Sequence, residues 1–453
     1  MAKALVVDLY ELTMAQVYFK YKKEVEASFD LFIRSDKRPF YLACGIDDVL
    51  DYLQSLKFTR EDICYLKSLN FFEDEFLEYL KSFRFRGEVW GVDEPEIIFA
   101  QEPILRVSAN LIEAQIIESA LLNKINLATT LATKAARVVL AASDKKVYDF
   151  SLRRAQGIDA SLATAKYSYI AGAKGTSNVY AGFVYKIPVS GTMAHSFVMS
   201  FDNEIDSFLA FAKTLPSKSI LLVDTYNVKK GVATAIKTAK ALKAKNIDIL
   251  GIRLDSGDLT ADSKYARKEF DKAGLRKIGI FASGDLDEYK IEKLIDEGAP
   301  INAFGVGTRM GCSADIPYSD TIYKLVEIRE KSKEFKPVMK LSKNKASLPS
   351  KKQVFRKFNK KGIMIKDCIG LTKEKNSGKK LLTKIMAGGR RLYKTRSLDE
   401  KQKMFFKKSS SLPAGLKKAK CKYSYPVNIG PELDKLTREL KKQIKLKSSY
   451  NKD

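Results

Sequence analysis

The chain reads as an α/β protein, a parallel βα barrel or a doubly wound open sheet, preceded by a mixed α+β region. Three observations carry this reading. First, four apolar, β-branched runs, SILLVDT (219–225), IDILGIRLD (247–255), KIGIFASGD (277–285) and INAFGVGT (301–308), recur at roughly thirty-residue intervals, the length of a βα unit. Second, helical stretches separate them. Third, each run is apolar almost throughout, as a strand buried on both faces must be, and ends in polar or glycine residues: Asp224, Asp255, Gly284-Asp285, Gly307-Thr308. Parallel βα folds keep their active sites at such carboxyl ends, and that local pattern is common to barrels and open sheets.

Taken from the front, residues 1–112 form the α+β region. ASFDLFIR (27–34) is extended, Leu50, Leu53 and Leu56 mark a helix, and RFRGEVWGV (84–92) reads as strands. SANLIEAQIIESALLNKINLATTLATKAARVV (108–139) is a long helix or a pair of helices, with Asn110 as a cap near its start. The βα units occupy 113–326. Beyond them, 327–453 is Lys- and Ser-rich and closes on the helical ELDKLTRELKKQIK (432–445), with Pro431 suited to a first helical position.

Composition narrows the class. At 453 residues the chain holds two or three domains, and a 45% hydrophobic content is ample for their cores. No apolar run approaches the ~20 residues of a membrane span, and Asp8 interrupts the short apolar stretch at the N-terminus, so neither a span nor a signal peptide is expected. Cys44, Cys64, Cys312, Cys368 and Cys421 stand singly, without a Cys-x-x-Cys pair, which suits reduced thiols in a cytoplasm. The net charge of +27 is unevenly placed. Residues 1–300 carry 41 Lys+Arg against 41 Asp+Glu, and residues 301–453 carry 40 against 13. The basic last third invites a nucleic-acid reading, but its aromatics, among them Phe355, Phe358 and Tyr393, fit no RNA-binding signature; a solvated, lysine-rich surface is the expectation.

Candidate chemistry gathers at the strand ends. His195, in GTMAHSF, is the only histidine and follows the apolar run YKIPV (185–189). A lone histidine is ordinarily structural, but this placement matches that of Asp224, Asp255 and Asp285. Acids at one rim can bind Mg²⁺ or ribose hydroxyls; each, with Asp258, can equally cap a following helix. GVGTRMG (305–311) offers backbone N–H groups to an anion. DFSLRRAQG (149–157) sets paired arginines beside an aromatic ring, a pattern suited to a carboxylate or phosphate and equally to a surface ion pair.

In this order, DLYELTMAQ (8–16), FDLFIR, ATKAAR, DFSLRRAQG, KGTSNV (174–179), GTMAHSF, LLVDTYN (221–227), IRLDSGD (252–258), ASGDLDEYKI (282–291) and FGVGTR (304–309) resemble nicotinate phosphoribosyltransferase, a type II phosphoribosyltransferase, as does YPVNIGPELDKL (425–436). The resemblance implies an irregular α/β barrel with a smaller α+β domain formed from both chain ends. It implies a cytoplasmic homodimer with shared active sites, and ATP-coupled transfer of phosphoribosyl from phosphoribosyl pyrophosphate to nicotinate in NAD biosynthesis. Such an enzyme is a ligase forming a C–N bond, a glycosyltransferase and a phosphoprotein. His195 is then the phosphohistidine, oriented by a hydrogen bond that Asp224 accepts from its ring; Tyr10, from the other subunit, and Phe150 sandwich the pyridine ring. Arg153 and Arg253 meet carboxylate and phosphates, and Asp255 faces the ribosyl pyrophosphate and its Mg²⁺. Gly284 and Asp285 face the ribose, and Gly307 and Thr308 the 5′-phosphate. Ser177 stands where nicotinamide-using relatives carry an Asp. The cofactors implied are ATP and Mg²⁺; no membrane or specific nucleic-acid partner is implied. The departures are GCSADIPYSDTIYKL (311–325), less glycine- and leucine-rich than the family's usual run, and the stretch 330–424, which matches nothing. The alternatives are nicotinamide phosphoribosyltransferase, more distantly the quinolinate enzyme, and, from another class, a nucleic-acid-binding protein built on the basic third.

If the lysines are a solvated surface, duplex binding is weak at ~150 mM salt, where counterion release removes most of the affinity. Filter binding to a random duplex checks this; submicromolar affinity at that salt would favour the nucleic-acid class.

Overall fold

The computed structural model describes residues 3–216, 218–243, 245–342 and 347–450. Residues 343–346, within the stretch 330–424, lie outside the described residues. The chain divides into two compact units, one of Met1–Thr130, Tyr318–Leu416 and Lys422–Asp453, the other of Leu131–Pro317 and Lys417–Cys421. Sequence boundaries expected at 112/113 and 326/327 thus fall within the first unit.

The second unit holds the parallel sheet. Its order is Lys146–Asp149, Ala303–Val306, Gly279–Ala282, Gly251–Leu254, Ile220–Leu222, with every ladder parallel. Helices Val228–Lys243, Leu259–Lys272 and Glu288–Asp296 alternate with the strands. Single parallel bridges join Asp149 to Thr176 and Thr176 to Val189, extending the sheet past its first strand. Among the described residues no ladder joins Val189 to Ile220–Leu222, so any barrel closure is made without backbone pairing there. The strands are shorter than the apolar runs that announce them, three or four residues each. The polar end of each run leaves the sheet and becomes the rim.

The first unit is built on a seven-stranded antiparallel sheet. Glu26–Ile33 lies at its heart, paired with Pro103–Asn110 on one side and Thr321–Arg329 on the other. Residues three hundred positions apart in sequence are therefore neighbours, and Phe29 stacks on Tyr323 at 4.6 Å. Strands Lys352–Phe358, Met364–Leu371, Lys379–Lys380 and Val427–Ile429 make a second, smaller sheet. The segment 108–139 is a strand end followed by two helices, Leu111–Ile116 and Glu118–Ala141, with the Asn110 side chain capping the first by accepting from Ile112 N–H. Pro431 opens the last helix, Pro431–Tyr450.

Not all of the basic third is solvated surface. Arg356 is buried and donates to Asp367 and Glu96, with Glu102 3.8 Å away. Tyr425 donates to the same Asp367 at 3.0 Å and stacks on Phe99 at 3.8 Å. Burial and the neighbouring Asp367 push the Glu102 carboxyl well above the usual range. Buried Lys352 pairs with Asp30 at 2.8 Å and buried Lys401 with Asp47 at 2.6 Å. These cations go inside because acids of the first hundred residues need counter-charges there, a match that composition counted by segment does not reveal.

Replacing Arg356 by Met leaves Glu96, Glu102 and Asp367 buried without that counter-charge, which is expected to cost about 3–5 kcal/mol. Tyr425→Phe removes one hydrogen bond and is expected to cost about 1 kcal/mol. Urea unfolding of both variants measures the ratio.

Candidate active site at the carboxyl edge of the parallel sheet

Strand direction alone puts the carboxyl ends of Lys146–Asp149, Ile220–Leu222, Gly251–Leu254, Gly279–Ala282 and Ala303–Val306 on one edge. Asp149 ends the first strand. It is buried, its Oδ1 accepts from the Ser151 N–H (3.0 Å) and hydroxyl (2.5 Å), and its Oδ2 accepts from the Thr176 hydroxyl at 2.8 Å. Its carbonyl accepts from Ser177 N–H at 2.8 Å, and its own N–H donates to the Gly175 carbonyl. Burial raises its pKa, and the Ser151 and Thr176 donors oppose that rise. Phe150 and Ser177 stand one residue further along these two paired segments. The Phe150 ring lies against Gly305, where a Cβ would come within 2.4 Å of it, so only glycine fits that strand position.

His195 begins the helix His195–Met199 at the same edge. Its Nδ1 lies 3.2 Å from the Thr225 hydroxyl and its Nε2 3.7 Å from Asp255 Oδ2. Asp224, expected at the ring, is turned elsewhere. Its Oδ2 accepts from Asp255 N–H at 2.9 Å and from the Ser256 hydroxyl at 2.6 Å, tying two strand ends together. Its Oδ1 is buried with no hydrogen-bond partner. The ring's partner is instead the next residue, Thr225, in the loop that follows the strand.

Asp255 is the hub. Besides His195, it accepts from the Ser283 hydroxyl through Oδ1 and lies 4.0 Å from Arg253. Arg253 donates to the Thr192 hydroxyl, while its Nε is buried and unpartnered. Burial lowers the proton affinity of Arg253; Asp255 and Asp224 oppose this, and Arg153 adds to it. Arg153 is therefore near enough for its charge to be felt at Arg253. Gly284 sits at φ +98° with a hypothetical Cβ only 2.0 Å from the Asp255 carbonyl, which excludes any side chain.

Asp285, expected to face a ribose, is ion-paired in this structure. Arg309 Nε and Nη2 donate to its two oxygens at 2.9 and 3.1 Å, and Lys290 Nζ to Oδ2 at 2.9 Å. Gly307 and Thr308 open the short helix Thr308–Gly311 that brings Arg309 there. Thus His195, Asp224, Arg253, Asp255, Gly284, Asp285, Phe150, Ser177, Gly307 and Thr308 all stand at this edge, with exposed Arg153 just beyond Phe150. Tyr10 belongs to the first unit, on helix Leu9–Tyr21, and is half exposed. Asp149, Thr176, Thr192, Thr225, Ser256, Ser283 and Arg309 escape the sequence reading. Five hydroxyls, an Asp and an Arg inside already quoted motifs are their only signal.

Asp255 Oδ2 and the orphaned Asp224 Oδ1 are oxygens of the kind a hard cation such as magnesium takes, and no cluster of three or more His, Cys, Asp or Glu among the described residues could hold a metal unaided.

The chain is similar to the nicotinate phosphoribosyltransferase (NAPRTase) N-terminal domain over residues 5–126 and to the nicotinate phosphoribosyltransferase (NAPRTase) family over residues 145–384. It is 42% identical over 441 residues to a nicotinate phosphoribosyltransferase of Mycobacterium tuberculosis, spanning 96% of this chain and 93% of that one. It is 39% identical over 360 residues to a nicotinate phosphoribosyltransferase of Bacillus subtilis, spanning 78% and 72%. Human nicotinic acid phosphoribosyltransferase superposes with a TM-score of 0.83 at 27% identity, over 96% and 99% of the two chains. The nicotinate-nucleotide pyrophosphorylase of Pyrococcus furiosus shares the fold, with a TM-score of 0.73 at 22% identity over 90% and 95%.

The bonds from Arg309 and Lys290 lower the Asp285 pKa to about 2. The interaction is therefore present above pH ~4, the ordinary Asp pKa, and lost as pH falls toward 2. Arg309→Gln should return Asp285 toward the ordinary range, which a carboxyl ¹³C NMR titration reads directly.

Proposed function

The chain belongs to the nicotinate phosphoribosyltransferase family, and we propose that the carboxyl edge described above is its active centre. The enzyme transfers phosphoribosyl from phosphoribosyl pyrophosphate to nicotinate, giving nicotinate mononucleotide and pyrophosphate. The observation that carries the assignment of the site is the placing of His195 Nε2 and the Arg253 guanidinium 3.7 and 4.0 Å from the one carboxylate of Asp255.

On this reading the pyridine ring stacks on Phe150, with Ser177 facing its substituent and Arg153 its carboxylate. Tyr10 of a second copy closes the ring's other face in a homodimer with shared sites. Arg253 meets the departing pyrophosphate, Gly307 and Thr308 the 5′-phosphate, and Gly284 the ribose. Asp285 reaches the ribose once Arg309 and Lys290 turn to the substrate's phosphates. The pyridine nitrogen attacks C1 as the C1–O bond to pyrophosphate breaks. Its lone pair is free at neutral pH, so no general base is needed. Alignment and neutralisation of the leaving group lower the barrier. Magnesium, when bound on the pyrophosphate beside Asp255, neutralises part of its charge.

ATP is the third substrate. A ring nitrogen of His195 attacks the γ-phosphorus, ADP leaves with the bonding electrons, and water later hydrolyses the phosphoramidate. The added charge tightens the hold on magnesium and pyrophosphate, and its loss releases products. The reaction is assigned to the cytoplasm; no described helix is long and apolar enough to cross a membrane.

His195→Ala is expected to abolish ATP hydrolysis and ATP stimulation while slow ATP-independent transfer persists. Assays with phosphoribosyl pyrophosphate, Mg²⁺ and nicotinate, with and without ATP, decide this. Labelled phosphate retained on the Ala variant as readily as on the parent would overturn the histidine assignment.

Ser177→Asp places a negative charge opposite the nicotinate carboxylate. It is expected to cut kcat/KM for nicotinate ~100-fold or more and to raise relative use of nicotinamide. Unchanged nicotinate kinetics would remove Ser177 from the ring's surroundings.

A further inference from the structure

Three of the residues read as nicotinate contacts lie on two separate segments. Phe150 and Arg153 follow the strand Lys146–Asp149; Ser177 lies on the segment joined to it by the single bridge between Asp149 and Thr176. Backbone bonds from Lys174 N–H to the Val147 carbonyl, Asp149 N–H to the Gly175 carbonyl and Ser177 N–H to the Asp149 carbonyl join the two segments over this short stretch. Buried side chains add to them. The Thr176 hydroxyl donates to Asp149 Oδ2 at 2.8 Å, and the same oxygen of Thr176 accepts the Asn178 N–H at 3.0 Å. Asp149 Oδ1 takes both donors of Ser151, which fixes the turn that carries Phe150 and leads to Arg153. Asp149, Ser151 and Thr176 have relative exposures of 1%, 0% and 0%, so water cannot replace a lost partner.

We propose that Asp149 and Thr176 are a positioning pair for the transfer reaction, clamping the Phe150–Arg153 side of the nicotinate pocket at a fixed distance from the Ser177 side. The inference rests on the assignment of this edge to nicotinate. Neither residue touches the substrate. The clamp acts through geometry: a ring held between Phe150 and Ser177 presents its nitrogen to C1 only while that spacing holds, and small misplacements of a nucleophile cost large factors in rate. A buried acceptor deprived of one donor moves to find another, and here the movement would shift the Asp149 segment against the Ser177 segment.

The test uses the full-length enzyme and Thr176→Val, which keeps shape and deletes the hydroxyl, beside Thr176→Ser, which keeps the hydroxyl. The expected result is a fall of about tenfold or more in kcat/KM for nicotinate in the Val variant, with the KM for phosphoribosyl pyrophosphate unchanged. The Ser variant should stay near the parent. Should the Val variant fail to fold, Ser151→Ala, which deletes one Oδ1 donor and leaves its N–H, is expected to give a smaller fall of the same kind. An active parent with unchanged nicotinate kinetics in the folded variants overturns the clamp alone, as does a Ser variant as impaired as Val, or a loss shared equally by both substrates. A parent that does not turn over nicotinate overturns the functional reading and the clamp with it.

Discussion

A carboxylate buried at the end of a strand must have its donors brought to it, and around Asp149 the rest of the candidate site is arranged to do so. Its two oxygens take Ser151 and Thr176, while its backbone takes Gly175 and Ser177. An unpaired buried carboxylate would cost several kcal/mol, so the chain on both sides is constrained before any substrate arrives. Phe150 is fixed by that turn and by the neighbouring strand, where Gly305 leaves room for its ring. Arg153 follows on the next turn. The placing of Phe150 and Arg153 is in this sense a by-product of satisfying one buried acid.

A second layer of constraint runs across the strand ends by side chain rather than by ladder. Asp224 holds the Asp255 and Ser256 loop, Asp255 holds Ser283, and Gly284 lets the next loop approach the Asp255 carbonyl. These links tie three successive βα units together at the edge where strand pairing has already ended. They also leave Asp255 between a guanidinium and an imidazole, so that one carboxylate sets the local potential at both. Charge placed there is held by preorganised dipoles and hydroxyls, the condition under which electrostatic stabilisation of a leaving group is effective.

Charge also explains how the first unit is assembled. The basic excess of the last third is partly spent inside, where Arg356, Lys352 and Lys401 meet Asp367, Glu96, Asp30 and Asp47. Three of those four acids come from the first hundred residues. Segments that look electrically unrelated along the chain are complementary in space.

What the sequence determined by itself was whatever depends on neighbours along the chain. The alternation of apolar runs and helices specified a parallel α/β fold, the polar residues at the ends of the runs marked the rim, and Asn110 and Pro431 marked helix starts, because caps and periodicity are local properties. The membership of the candidate site was legible for the same reason: Asp224, Asp255 and Asp285 each end an apolar run, and His195 follows one across a short turn. Tertiary structure alone decided the partners. That Thr225, not Asp224, meets His195, that Arg309 occupies Asp285, and that Asp149 joins the Phe150 and Ser177 segments follow from side-chain direction and from register between segments far apart in sequence. Asp224 and Thr225 both lie past the strand Ile220–Leu222, where the contacts of the loop and not a strand period set side-chain direction, so no reading of single motifs can choose between them.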